Sequence, residues 1–196
     1  MTGVDEPAVD DVATQVVRLL QEAGRTVATA ESLTGGWLGA AVTAVPGASA
    51  CYRGGVIAYA TELKHQLLGV DAALLARVGA VDAAVAASMA EGVRDRLGAD
   101  YGVATTGVAG PDPQDGHLPG TVWVAIATPG PTVVVDALVT GPADRAAVRR
   151  RTVLTALTQL AVVLRRDREE PPSVHRCAVG PIRSSPAVCA AVDGVP

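Results

Sequence analysis

The sequence predicts an α/β protein, a three-layer α/β/α sandwich around a mixed, mostly parallel sheet of about five strands. Two patterns predict it. Short apolar runs of strand length alternate along the chain with longer segments whose apolar residues recur at helical spacing, which is typical of strands joined by crossover helices. Near the end, two strand-like runs are separated by little more than Pro129-Gly130-Pro131, which predicts a hairpin and hence an antiparallel part of the sheet.

The first half of the chain predicts three helices and two strands. The first helix has apolar residues at helical spacing and ends at Gly24, a residue suited to a left-handed cap. The next segment, "TVATA", is short and apolar, as expected of a buried strand. In order, the predicted elements are a helix over 8–23, a strand over 26–30, a helix over 36–44, a strand over 54–60 and a short helix over 61–69.

The second half predicts three more helices and three more strands. Helical spacing of Val148, Leu154, Leu157 and Leu164 gives the closing helix one apolar stripe. In order, the predicted elements are helices near 71–77 and 82–97, strands over 101–107, 121–127 and 132–139, and the closing helix over 142–166.

We predict one domain over 1–168 and a disordered tail over 169–196, where Pro, Ser and Gly recur without a sustained period. The net charge of −4 argues against nucleic-acid partners, and no apolar run has the length of a membrane span. The acidic N-terminus is unlike a signal peptide, so the expected location is the cytoplasm. Three cysteines and three scattered histidines form no ligand pattern, so we expect no metal and no cofactor.

Three polar loops follow the predicted parallel strands, at the sheet edge where α/β proteins bind ligands. The first, "ESLTGG", places Ser32 where a strand passes into a helix. Its two glycines would let a ligand approach the backbone, and the first amides of the helix would attract an anion. A simpler alternative is that Ser32 or Thr34 caps the helix that follows.

The second loop, "YATELK", carries Tyr59 and Lys64, and Lys64 is the only lysine among 16 basic residues. A desolvated amine can lose its proton and act as a base, whereas a guanidinium cannot. Lys64 is therefore a candidate base for Ser32, with the Tyr59 hydroxyl holding or relaying the proton. The alternative is a Tyr at the edge of the core and a solvated Lys.

The third loop, "TTGVAGPD", offers the Thr106 hydroxyl and backbone N–H groups to a phosphate or an oxyanion, although an ordinary Gly-Pro-Asp turn would need no ligand. Arg145 and Arg149 lie one turn apart on the closing helix. One arginine near the start of that helix would bind a substrate phosphate, while the other arginines of the helix would form a solvated face.

Taken together and in order, these segments resemble the CinA C-terminal domain family, whose stand-alone members are nicotinamide-nucleotide amidases. The resemblance covers about 25–160 and rests on "TAESLTGGWLGAAVTAVPGAS", "YRGGVIAYATELKHQLLGV", "GAVDAAVAASMAEG", "ADYGVATTGVAGPD", "GTVWVAIA" and "GPADRAAVRRRTVLTAL". It implies a three-layer α/β/α sandwich, commonly a homodimer. It also implies a metal-independent amidase of pyridine-nucleotide salvage that hydrolyses the carboxamide of nicotinamide mononucleotide to nicotinate mononucleotide and ammonia.

By position in these motifs, the resemblance implies that Ser32 is the nucleophile and Lys64 its base. It implies supporting roles for Tyr59 and Thr106, and binding of the pyridine nucleotide by the residues around them. The implied substrate-binding residues are Glu31, Thr34, Gly35, Gly36, Gly107, Ala109, Gly110 and Arg145. Amides around Leu33–Gly36 or around Thr106–Gly107 would stabilise the oxyanion, and the sequence leaves both sets open.

The chain departs from the family pattern at two places. Asp82 stands where the family usually has Ser, and both residues cap helices. An Asn common between the Tyr and the Lys is absent, and Glu62, whose charge would oppose a lowered lysine pKa, lies nearby. Two other functions stay open: a Ser–Lys hydrolase of another amide or ester, and a catalytically silent nucleotide-binding or interaction domain.

Overall fold

The computed structural model describes residues 8–137 and 144–169, and within them five strands form one open sheet. The strand bounds are β1 Val27–Glu31, β2 Tyr52–Ile57, β3 Tyr101–Gly107, β4 Val122–Ala127 and β5 Val133–Asp136. In the sheet the strands lie in the order β2-β1-β3-β4-β5. β1 pairs in parallel with both β2 and β3, whereas β4 pairs antiparallel with both β3 and β5.

Six α-helices in the described residues cover the two faces of the sheet. The first, second and sixth pack on one face, and the fifth, with the third and fourth beside it, packs on the other. This arrangement explains why β1 and β3 are buried along nearly their whole length. The helix bounds are α1 Val9–Ala23, α2 Trp37–Thr43, α3 Thr61–Leu68, α4 Ala72–Val78, α5 Ala83–Leu97 and α6 Arg145–Glu169.

The two faces of the sheet carry side chains of different size, because successive strand residues point to opposite faces. The α1/α6 face presents Val and Ile, whereas the α5 face presents mostly Ala. Small side chains let α5 approach the sheet closely. A Cβ placed on Gly102 of β3 would lie 2.0 Å from the carbonyl oxygen of Ala90 in α5. The fold therefore requires glycine at position 102.

The three-layer fold and its mixed five-stranded sheet are as predicted. β3 has the predicted bounds, and most other boundaries differ by one residue. Larger differences occur at β2, which begins two residues earlier and ends three residues earlier than predicted, and at α6, which begins and ends three residues later than predicted. β2 ends early because its last predicted residues leave the sheet to enter the site. Asp82 caps α5 by accepting the N–H of Ala84 at 2.7 Å, as expected for a residue that stands in place of Ser.

Three predicted segments fall partly outside the described residues. The last two residues of the strand predicted over 132–139 and the first two of the helix predicted over 142–166 lie there. The tail predicted over 169–196 lies there too, apart from Glu169, the last residue of α6. None of the described helices is long and apolar enough to cross a bilayer.

Candidate active site

The carboxyl ends of β1, β2 and β3 bring the three polar loops to one edge of the sheet. β1 ends at Glu31, directly before Ser32. β2 ends at Ile57, and the chain then passes through Ala58 and Tyr59 into the helix that carries Lys64. Because the three strands are parallel, their ends meet, and residues far apart in sequence line one cleft.

Ser32 and Lys64 are in hydrogen-bond contact at the base of this cleft. The Nζ of Lys64 lies 3.2 Å from the Oγ of Ser32, 2.8 Å from the carbonyl oxygen of Ala58 and 3.5 Å from that of Tyr59. A neutral amine has two hydrogens and one lone pair. The two carbonyls can accept the hydrogens, which leaves the lone pair for the serine proton. The contacts therefore suit a general base.

Burial gives Lys64 the protonation properties that such a role needs. Its side chain is 1% exposed, so the alternative of a solvated lysine is wrong. Removal from water lowers the pKa of Lys64 from 10.5 to about 8, while the charges of Asp115 and, less strongly, Glu62 act in the opposite direction. Glu62 is itself exposed, which limits its effect. About a tenth of the amine is then neutral at pH 7, against about one part in a few thousand for a solvated lysine.

The turn that contains Ser32 is held by the side chain of Glu31, and the expected alternative of a Ser32 or Thr34 helix cap is wrong. Gly36 is the N-cap of α2, and neither Ser32 nor Thr34 caps that helix. The carboxylate of Glu31 fills the helix N-terminus instead, accepting the N–H groups of Gly36, Leu38 and Gly39 at 2.8–3.0 Å. This cap leaves the Ser32 hydroxyl free to contact Lys64.

Thr106 and the loop that follows β3 form the opposite wall of the cleft. The Thr106 hydroxyl donates to the carbonyl oxygen of Ala80 at 2.6 Å, so only its acceptor capacity remains for a ligand. Gly107 and Gly110 have positive φ angles, and a Cβ on Gly107 would lie 2.5 Å from the carbonyl oxygen of Thr121. Glycine is therefore needed for this loop to follow its path.

Tyr59 and Arg145 lie together at the mouth of the cleft. Arg145 is the first residue of α6, and its guanidinium donates to the Tyr59 hydroxyl at 2.9 Å and to the carbonyl oxygen of Gly110 at 2.8 Å. Lys64 contacts the carbonyl of Tyr59 rather than its hydroxyl. The geometry thus places the Tyr59 hydroxyl beside a cation at the rim, where it can bind a ligand, and not between Ser32 and Lys64.

The structure brings together eight of the twelve predicted site residues. The residues that line the cleft are Ser32, Tyr59, Lys64, Thr106, Gly107, Ala109, Gly110 and Arg145. The other four lie behind the serine loop: Glu31 caps α2, the Thr34 hydroxyl bonds that of Thr105 at 2.8 Å, and Gly35 and Gly36 adopt the positive φ angles that the turn requires. These four shape the loop without lining the cleft.

Sequence reasoning gave no site role to Asp112 or Gln114, and it named Arg149 only as a neighbour of Arg145 on the closing helix. Asp112 and Gln114 line the cleft, and their place in a Pro-rich loop after β3 was the available signal. Arg149 does not line the cleft but contacts the serine loop, where it donates to the carbonyl oxygens of Leu33 at 3.0 Å and Thr34 at 2.8 Å. Among the described residues, no group of three or more His, Cys, Asp or Glu is placed to hold a metal ion.

The sequence was compared with protein-family models and with curated proteins, and both comparisons give CinA-like matches. Residues 9–164 match the family model described as the CinA C-terminal domain. A CinA-like protein of Frankia casuarinae is 50% identical over 155 residues, which cover 79% of this chain and 35% of that protein. A CinA-like protein of Gloeobacter violaceus is 46% identical over 159 residues, 81% of this chain and 37% of that protein. The chain thus spans about a third of the length of these curated relatives.

Solved structures agree with the fold over almost their full length. A competence-damaged protein (CinA) superfamily protein of Klebsiella pneumoniae superposes with a TM-score of 0.78 at 35% identity, covering 82% of this chain and 99% of that one. A competence/damage inducible protein of Agrobacterium tumefaciens gives 0.76 at 33% identity, covering 80% and 95%.

Proposed function

The chain belongs to the CinA C-terminal domain family, and we propose that it is an amidohydrolase that releases ammonia from nicotinamide mononucleotide. Ser32 is the nucleophile in this proposal and Lys64 is its base. The observation that carries it is the 3.2 Å contact between the Ser32 hydroxyl and a lysine amine that is 1% exposed. Few other roles explain the burial of the only lysine beside a serine at a ligand-binding sheet edge.

The reaction follows from the hydrogen-bond capacity of these groups. Ser32 Oγ forms a bond to the carboxamide carbon, and its proton passes to the neutral Nζ of Lys64. The tetrahedral intermediate then loses its C–N bond, and Lys64 returns the proton to the leaving nitrogen, which departs as ammonia. Water attacks the acyl-enzyme by the same route, with its proton taken by Lys64, and nicotinate mononucleotide leaves as Ser32 regains its proton.

The rim of the cleft supports an anionic nucleotide as the ligand. The Arg145 guanidinium is exposed beside the Tyr59 hydroxyl, and a phosphate on this rim would gain a charge-assisted hydrogen bond. Asp112, which also lines the cleft, offers a carboxylate acceptor for sugar hydroxyls. The family resemblance further implies a homodimer, and the acidic N-terminus favours the cytoplasm; we include both in the proposal.

Ammonia release from nicotinamide mononucleotide, measured with chelator present, tests the proposal. We expect turnover by the wild-type protein and losses of about 1000-fold or more in Ser32→Ala and Lys64→Arg. Lys64→Arg is the sharper variant, because it keeps the positive charge and removes the base. Glu22→Gln, a change at an exposed carboxylate of α1, is the matched control and should keep full activity.

Other outcomes separate the alternatives. Activity retained by Lys64→Arg would exclude Lys64 as the base. Hydrolysis of other amides but not of the mononucleotide would keep the Ser–Lys chemistry and change the substrate. Binding of the mononucleotide without release of ammonia would favour a silent nucleotide-binding domain.

A further inference from the structure

The cleft contains a backbone donor beside the nucleophile that the fold leaves unpaired. Within residues 8–137 and 144–169, the N–H of Leu33 donates to no acceptor, although Leu33 is 4% exposed and lines the cleft. The N–H groups of Ser32, Gly35 and Gly36 are engaged, the first two by the carbonyls of Thr105 and Ser32 and the third by the Glu31 carboxylate. The N–H of Thr34 also donates to no acceptor within these residues, but Thr34 is fully buried and does not line the cleft. A buried N–H without a partner is rare, and of these two only the Leu33 N–H belongs to a residue that lines the cleft, where a ligand atom can accept it.

A second donor reaches the same place from β3. The N–H of Tyr101 and the carbonyl of Thr105 both bond the β1 side of the sheet, so the odd-numbered residues of β3 direct their polar groups toward β1. By this alternation Gly107 directs its N–H past the end of β1, toward Ser32. Leu33 and Gly107 therefore provide one donor from each of the two sets of amides that the sequence leaves open for the oxyanion.

Arg149 controls the first of these donors through a chain of hydrogen bonds. Its Nη2 donates to the carbonyl of Thr34, and the N–H of that same peptide group, at Gly35, donates to the carbonyl of Ser32. The peptide group of Ser32 carries the N–H of Leu33 at its other end. Hydrogen bonds in such a chain polarise one another, so a cation at its start makes the last N–H a stronger donor.

The position of the Arg149 guanidinium is itself well determined. Its Nε donates to the carbonyl of Leu33 at 3.0 Å, and its Cζ lies 5.7 Å from the centroid of the Trp37 ring. A guanidinium can bond two neighbouring carbonyls and lie over an aromatic ring at once, whereas an ammonium cannot form both bonds in the same geometry. The arrangement thus requires arginine in particular.

We propose that Arg149 is a positioning residue of the oxyanion site, which holds and polarises the serine loop so that the Leu33 N–H stabilises the tetrahedral intermediate. The inference rests on the proposed function, since it assumes that Ser32 attacks a carbonyl carbon. It assigns to Arg149 an effect on the transition state and none on substrate binding.

Arg149→Ala and Arg149→Lys test the role, with Arg151→Ala as the matched control on the exposed side of α6. We expect kcat to fall by about 100-fold in Arg149→Ala, with KM within about threefold of wild type. Millimolar guanidinium should restore much of the lost kcat, and Arg149→Lys should retain an intermediate rate. The pH midpoint of activity should not move, because the charges that act on the pKa of Lys64 belong to Asp115 and Glu62.

A loss confined to thermal stability, a rise in KM that matches the fall in kcat, or the absence of rescue by guanidinium would each overturn the inference. If Arg149→Ala does not fold, the kcat and KM of Arg149→Lys provide the test instead.

A fluorophosphonate probe separates this inference from the choice of substrate. Its reaction forms a bond between Ser32 Oγ and phosphorus, expels fluoride and passes the serine proton to Lys64. Negative charge gathers on the phosphoryl oxygen in the five-coordinate transition state and is lost when fluoride leaves. We expect labelling of the wild type and labelling slower by about 100-fold in Arg149→Ala. Equal rates would overturn the role of Arg149 and leave the amidase proposal intact. Labelling of the wild type without ammonia release would overturn only the proposed substrate. If the wild type were labelled no faster than Ser32→Ala, both the proposed function and the role of Arg149 would be overturned.

Discussion

The Lys64 amine lies in surroundings that favour its neutral form, and this determines how the proposed reaction depends on pH. Removal from water outweighs the attraction of the two carboxylates, so the pKa falls to about 8. Both neighbouring carbonyls can accept its hydrogens whether it is neutral or charged. The site therefore changes protonation without a change in its contacts, as a base that gains and loses one proton per step should.

We expect kcat/KM to rise with pH with unit slope and to level off above a midpoint near pH 8, the pKa of Lys64 in the free protein. At pH 7 the rate should then be about a tenth of its plateau. Asp115→Asn should move the midpoint to lower pH, because it removes a charge that favours the protonated amine. A profile flat from about pH 6 to about pH 9 would contradict the role of Lys64 as the base.

At the scale of elements, the short helix α2 and the strand β1 are joined by a buried carboxylate. Glu31 is 2% exposed and accepts three N–H groups from the first turn of α2. The bonds fix the angle at which the chain leaves the strand, and Ser32 lies inside that turn. A substitution at Glu31 should therefore affect both the stability of the fold and the reactivity of the serine.

Glu31→Gln should lower the free energy of unfolding by about 2 kcal/mol, because hydrogen bonds to a buried charge are lost and the new amide group meets N–H donors. Urea unfolding followed by circular dichroism gives the value. Glu22→Gln makes the same change at an exposed ion pair of α1, where a loss of less than about 1 kcal/mol is expected. Equal midpoints for the two variants would show that the buried carboxylate does not hold the helix.

At the scale of the whole molecule, the two layers of helices lie on the sheet in different ways. Leu and Val side chains separate α1 and α6 from one face, while α5 rests on a face of Ala and Gly. The same helix is in contact with β1, β3 and β4, so its distance from the sheet affects the strands that carry Ser32 and Thr106. Packing on this face should tolerate little added volume.

Gly102→Ala should destabilise the protein by about 2 kcal/mol or more, because the new methyl group meets the carbonyl oxygen of Ala90. Gly130→Ala is the matched control: a Cβ there would meet only the Thr128 hydroxyl at 3.5 Å, an ordinary contact. Thermal unfolding of both variants measures the difference. Similar melting temperatures would mean that α5 can move away from the sheet without cost.

Periodicity predicted the fold well, because alternating apolar runs and helical stripes depend on burial, and the burial is as expected. The apolar stripe of α6 at Val148, Leu154, Leu157 and Leu164 is buried throughout. The candidate site was harder to predict. Motif order indicated the Ser32–Lys64 pair, but a sequence does not show which face of a turn meets solvent. Glu31, Thr34, Gly35 and Gly36 therefore appeared as ligand residues although they lie behind the loop, and Arg149, 115 residues from Thr34, was missed as its partner.

Because Lys64 is the only lysine in the chain, isotope labelling would isolate the site within the whole spectrum. Protein grown on lysine enriched with nitrogen-15 at Nζ would give a single side-chain resonance from the amine that contacts Ser32. Its chemical shift, followed through a titration, would report the protonation of the base directly, with no assignment and no substrate. The same resonance would record whether a bound nucleotide, or a change at Arg149, alters that proton.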